Sequence, residues 1–303
     1  MITPLPYTLH TRYRSIALAW TVILIPPTIL NIGLFYDLWF GTSLDRILVL
    51  TLPTGILGIF TIIAIIERIY KLTKSSPEYR PLNGSRFSLD VFQWGYFGAL
   101  ILISALISSA LARGDVDADG HELQIRLVSL PAALLMFFLA VLTLLSLVLN
   151  GVGVKLPFRF GSVEKGNVVR PAVFYIVEDV VAVDGNGGVE FREKWGERYE
   201  GSVVFRKMVL EVSVVWMVAF FVLSGVFTVL VMWLPVEAVY AVGWAGPFPI
   251  AGLMAVWTIY YVKAMLKAEK EAEGGSVENG NVNGNGQAPR QGGNETTPLL
   301  DRA

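Results

Sequence analysis

The chain has 303 residues, 54% of them hydrophobic and only 16% charged, with a formal net charge of −1 and a mean hydropathy of +0.57. So even a charge balance offers no basic field to attract nucleic acid. The absence of cysteine excludes disulfides, thiol chemistry, iron–sulfur ligation and zinc sites built on thiolates.

Residues 1–15, MITPLPYTLHTRYRS, lack the basic–apolar–small order of a cleaved signal peptide. The first apolar run therefore reads as an uncleaved anchor. Six runs of 20 to 25 residues contain no Asp, Glu, Lys or Arg: Ile16–Phe35, Ile47–Ile66, Val91–Ala112, Leu127–Leu149, Val212–Leu234 and Ala238–Val262. Roughly 20 helical residues, rising about 1.5 Å each, match a hydrocarbon core of about 30 Å. Uniformly apolar runs do not fit the alternation of barrel strands. The predicted fold is an all-α membrane protein with six transmembrane helices in three hairpins. A cytosolic segment carrying amphipathic helices lies between helices 4 and 5, and a disordered C-terminal tail follows helix 6. The boundaries are 1–15 for the N-terminus, 16–149 for helices 1–4, 150–211 for the cytosolic segment, 212–262 for helices 5 and 6, and 263–303 for the tail.

Basic residues set the orientation, because they stay on the cytoplasmic side near helix ends. Of 24 Lys and Arg, only Arg46, Arg113 and Arg126 lie in the connections of one set, while loop 67–90 alone holds five. Both termini are expected in the cytosol. Trp39, Trp233 and Trp244 fall where outer interfacial anchors belong, and Trp94, Tyr260 and Tyr261 where inner ones do. The glycosylation patterns at Asn83-Gly-Ser85 and Asn294-Glu-Thr296 then lie on the wrong side of the membrane to be used.

Between helices 3 and 4 the outer loop carries Asp115, Asp117 and Asp119 before Gly120, as in the first half of an EF-hand calcium loop. Arg126 replaces the bidentate Glu at position 12, so the other reading is a solvated acidic turn. In segment 150–211, Val173, Ile176, Val177, Val180 and Val181 recur at helical spacing, with Glu178 and Asp179 grouped away from them. The β-branched content leaves a strand open as the alternative. Phe191, Trp195 and Tyr199, four apart, mark a second amphipathic face. About 60 residues with so few core candidates are expected to pack under the bundle instead of forming an enzyme domain.

The prolines at 247 and 249 in GWAGPFPIAG favour a break in the sixth helix near its outer third. This is either a tolerated kink or a discontinuous helix at a solute site. Ser104, Ser108 and Ala112, like Ala251 and Ala255, give small faces for close helix packing, with a homo-oligomer seam as the second reading. No ionisable residue lies within the six runs, which counts against proton relays and ion-coupled transport. The deep hydroxyls are expected to bond to their own helices. Gly- and Asn-rich residues 273–294 predict a flexible tail. It ends in Glu295-Thr-Thr-Pro-Leu299-Leu300, which resembles the acidic dileucine sorting signals bound by clathrin adaptors. That resemblance implies an endosomal or vacuolar membrane, with the plasma membrane as the alternative.

Two stretches, ERIYKLTKSSPEYRPL at 67–82 and RPAVFYIVEDVVAVDG with REKWGERYEGSVVFRKM inside 170–208, resemble segments of uncharacterised multi-pass membrane proteins of filamentous fungi. The resemblance implies a multi-pass fold and no activity, cofactor or site residue. The leading expectation is a non-catalytic scaffold, sorting or interaction component of an endomembrane, surrounded by lipid and without a cofactor. The alternatives are a carrier or channel for a neutral solute, and a lipid-modifying enzyme built on Glu67, Asp90, Glu178, Asp179 and Glu211.

Overall fold

The computed structural model describes residues 25–112 and 120–284, and these are mostly helical. After a π-helical turn at Pro26–Leu30, the helices are α1 (Asn31–Gly41), α2 (Arg46–Thr73), α3 (Val91–Leu111), α4 (Gly120–Val128) and α5 (Pro131–Val152). There follow α6 (Ala172–Asp179), a second π turn at Val180–Asp184, α7 (Gly188–Gly201), α8 (Val203–Trp233), α9 (Val236–Ala245) and α10 (Pro247–Gly284). No strand occurs among the described residues, which carry only two isolated bridges, Lys155 with Val168 and Phe160 with Val163. The 170–184 stretch is thus helix.

Local chemistry sets the helix ends. Asp90 accepts from the Gln93 amide at 2.8 Å and Ser202 from the Phe205 amide at 3.1 Å, each an N-cap on a long apolar helix. Pro131 opens α5, where its missing N–H costs nothing, and Gly153 closes it at φ 75°, the left-handed stop that glycine favours. That proline shifts the start of the fourth apolar helix from Leu127 to 131. Residues 120–126, expected as loop, join the first two residues of the predicted fourth run in α4, which buries Ile125 and Val128.

Five helical spans among the described residues are long and apolar enough to cross a membrane: Arg46–Thr73, Val91–Leu111, Pro131–Val152, Val203–Trp233 and Val236–Glu271. The first predicted run falls partly outside the described residues; its remainder is helical through α1. Most apolar surface on these spans faces outward, as at Ile62 and Ile63, each 57% exposed. Exposed apolar area on this scale is untenable in water, so lipid is its solvent.

The most extensive helix contact joins α5 to α8. Ala133, Met136, Ala140, Thr143 and Ser146 are buried along one face of α5, and Ala133 and Met136 pack with Phe227 of α8. Small residues there let the backbones approach. The predicted small face at Ser104, Ser108 and Ala112 is instead exposed, because α3 turns its opposite side to its neighbours. The deep hydroxyls bond within their helices, Thr61 to the Leu57 carbonyl at 3.0 Å and Thr143 to that of Leu139 at 2.7 Å.

At Gly246 the last span is interrupted for one residue, yet Gly246 keeps helical angles, φ −55° and ψ −40°. The two prolines remove donors without unwinding the helix. A Cβ at Gly246 would lie 2.5 Å from the Phe227 ring, and one at Gly243 would lie 2.1 Å from the Ser129 carbonyl oxygen. Close packing accounts for both glycines. Trp244, predicted at the interface, is instead buried at 7% exposure in a cluster with Phe35, Leu50 and Tyr240. Past the apolar run, α10 continues to Gly284. Residues 263–284, within the predicted disordered tail, are therefore helical, since extending an existing helix is easy compared with nucleating one, and 285–303 lie outside the described residues.

Candidate functional site

The connections segregate to the two ends of the bundle. At one end Arg126 donates to the carbonyls of Val231 (2.6 Å) and Leu234 (3.1 Å), and Tyr36 donates to the Glu237 carbonyl. At the other, residues 67–90 and 150–211 fold together as a cap. The Leu82 amide donates to Ser162 Oγ at 3.1 Å, and the Val189 amide to the Glu78 carbonyl at 2.9 Å. The cap core is aromatic: Phe174, Tyr175, Phe191, Trp195, Tyr199 and Phe205 are all buried. The 191–195–199 face predicted from spacing is this core. Burial pushes the Tyr175 and Tyr199 hydroxyls up from their ordinary value.

The valine face predicted on α6 is not the buried one. Phe174, Tyr175, Glu178 and Asp179 point inward, while Val173, Ile176 and Val177 are only partly covered. Glu178 and Asp179 can turn inward because Arg192 meets them. This guanidinium, on α7 and with no exposed side-chain surface, lies 3.0 Å from Glu178 and 2.5 Å from Asp179. It reaches Asp90 at 3.6 Å and donates to the Tyr79 carbonyl at 3.2 Å. Arg68, from the last turns of α2, donates to Asp90 at 2.6 Å and pairs with Asp184, stacking over Phe92 at 4.7 Å. Asp179 also accepts from the Phe92 amide at 3.0 Å. Two arginines and four acids thus tie α2, α3, α6, the following π turn and α7 into one knot.

Buried charges shift each other. Desolvation pushes Asp179 up to about 7, reinforced by Asp90 and opposed by Arg192. Burial likewise raises Glu178 against Arg192, and Asp184 against Arg68. Burial alone would lower Arg192, but Asp179 and Glu178 outweigh it and hold it firmly cationic. Each of the four carboxylates has a guanidinium partner. The knot is therefore suited to holding elements together and to binding one proton near neutral pH. A second ion pair, Arg198 with Glu269, buries both groups and clamps α10 to the cap.

Beside the knot lies a cavity of about 420 Å³. Glu178, Arg192, Arg170 and Phe174 line it from the cap core, and Glu193 and Glu197 from α7. Arg170 is engaged by Glu200 at 2.6 Å and stacks over Phe174 at 4.5 Å.

Of the five acids named from sequence as an enzyme's requirement, the fold gathers Asp90, Glu178 and Asp179. It leaves Glu67 exposed beside Lys71 at 3.1 Å and Glu211 bonded to Tyr261. Arg68, Arg192 and Asp184 were missed. A signal existed: Phe174 and Tyr175 stand four residues before Glu178 and Asp179, so the acids share the aromatic face. No group of three or more His, Cys, Asp or Glu placed to hold a metal occurs among the described residues. The candidate calcium ligands Asp115, Asp117 and Asp119 and the sorting signal Glu295, Leu299 and Leu300 lie outside the described residues.

A family model, described as a domain of unknown function (DUF8766), matches residues 2–273. No curated protein and no solved structure matches the chain.

Proposed function

The chain belongs to the DUF8766 family, and from that premise we propose that it is a non-catalytic scaffold, sorting or interaction component of an endomembrane. It crosses the bilayer six times, the first crossing made by Ile16–Phe35, and keeps both termini and the cap in the cytosol. The carrying observation is the knot around Arg192. Its carboxylates are occupied by arginines, which suits a rigid docking platform better than an acid–base centre needing a free group beside a substrate. The five Lys and Arg in loop 67–90 support the cytosolic side for that platform. Glu295, Leu299 and Leu300 supply the sorting signal, bound by a clathrin-type adaptor. Deleting 295–300 in the native cell tests this: the protein should leave its compartment, and an unchanged location would refute the sorting role. Proximity labelling from the cap should recover cytosolic neighbours, and recovery of lumenal proteins alone would refute the platform.

A further inference from the structure

Two phenyl rings in the cap have no place in its core. Phe87 is 76% exposed and Phe158 63% exposed, although each sits on a well-anchored loop. Arg159 joins the loops, donating to the Leu82 carbonyl at 3.3 Å and to Ser88 Oγ at 3.2 Å. A folded loop that presents a phenyl group to water forgoes the burial that offsets its ordering. Both positions adjoin the ends of membrane-crossing helices. Phe87 is four residues before Val91, where α3 begins, and Phe158 is six after Val152, where α5 ends. The helix ends nearest the loops in sequence are themselves apolar and exposed, at Trp94 (61%) in α3 and Val152 (76%) at the close of α5. Exposed Arg86 lies 5.8 Å from the Phe87 ring, and exposed Lys155 stands three residues before Phe158 in the chain; both are cations of the kind that attract anionic headgroups.

We propose that the 85–88 and 155–158 loops form an interfacial foot. Phe87 and Phe158 insert at headgroup depth, and Arg86 and Lys155 bind anionic phospholipid. The occupant is the leaflet itself, because both rings lie within a few residues of the ends of helices whose exposed apolar surface is solvated by lipid. This cap is then held at the membrane by its own side chains and by the helices that enter it, and its footing depends on leaflet charge. The idea rests on the cap lying beside the bilayer, but not on which side it faces.

The chain's lack of cysteine makes the test direct. Single cysteines replace Phe158, Phe87, Ile62 or Glu197 in the full chain, carry a nitroxide, and are reconstituted in vesicles. The labels at 158 and 87 should resemble that at Ile62, with more collision with oxygen than with a water-soluble nickel chelate. The label at Glu197 should show the opposite. Nickel access at 158 and 87 equal to that at 197 would overturn insertion. In vesicles mixing phosphatidylcholine with phosphatidylserine, lipid retained by the purified protein should be enriched in phosphatidylserine. Arg86→Gln and Lys155→Gln should each reduce that enrichment roughly fivefold, and equal retention in the variants would overturn the charge assignment. A topology opposite to the one proposed would leave the depth result intact and appear only in side-specific labelling.

Discussion

Arg192→Met removes the one cation shared by Glu178, Asp179 and Asp90 while keeping the length and apolar bulk of the side chain. Asp90 and Asp184 keep Arg68, at 2.6 Å from Asp90, but Glu178 and Asp179 lose the guanidinium that pairs with both. Breaking a buried pair this way costs about 3–5 kcal/mol. Asp179, already pushed up to about 7, takes a proton readily and relieves part of the cost, so the lower end of that range applies. For a chain of this size the loss corresponds to a fall in Tm on the order of 10 °C. A reporter cysteine at Val163, 2% exposed in the cap core, reads opening through a thiol-reactive dye during heating in detergent. Because the chain has no other thiol, the signal is the cap's alone. Arg192→Lys should recover little, since an ammonium cannot fork between two carboxylates. A Tm change no larger than that of the surface control Glu193→Gln would refute the view that the knot holds the cap together.

The raised Asp179 carboxyl carries a pH consequence. Its folded value of about 7 lies above the ordinary 3.8, so the native cap binds a proton that the unfolded chain releases. Its stabilising effect is complete below the ordinary value and is lost as pH rises through about 7. Melting of the Val163→Cys reporter should fall from about pH 5 to pH 8, and Asp179→Asn should flatten that slope; an unchanged slope would contradict the assignment. Gly243→Ala should cost about 1–3 kcal/mol, because its Cβ would meet the Ser129 carbonyl oxygen at 2.1 Å, whereas a Cβ at Gly225 meets nothing within 4 Å. Equal melting of Gly243→Ala and Gly225→Ala would contradict the tight α9 packing.

The membrane-spanning helices were legible because lipid imposes length and polarity on a contiguous run, and Ile47–Ile66 or Val212–Leu234 satisfy both without reference to the rest of the chain. The aromatic face of α7 was legible for the same local reason. The burial of Glu178 and Asp179 was not, because it depends on Arg192, which lies beyond the Gly185–Gly188 turn and meets them only when α7 folds back on α6. Trp244 misled for a related reason: an indole near a span end suits an interface, and only the neighbouring Phe35 and Tyr240 make that position a core. Helix α10 outran the composition of its sequence, since Glu269 finds Arg198 and the helix had already formed upstream.

The proposed function requires a lipid-solvated bundle with its cap on the cytosolic side. Single cysteines at Glu197 in the cap and Ser43 at the opposite end, probed with a membrane-impermeant maleimide on sealed endomembrane vesicles whose cytosolic face is outward, report this without intermediate steps. Glu197→Cys should react in the sealed vesicles, and Ser43→Cys only after detergent opens them. Reaction of Ser43→Cys in sealed vesicles, or identical behaviour of the two, would contradict the proposal.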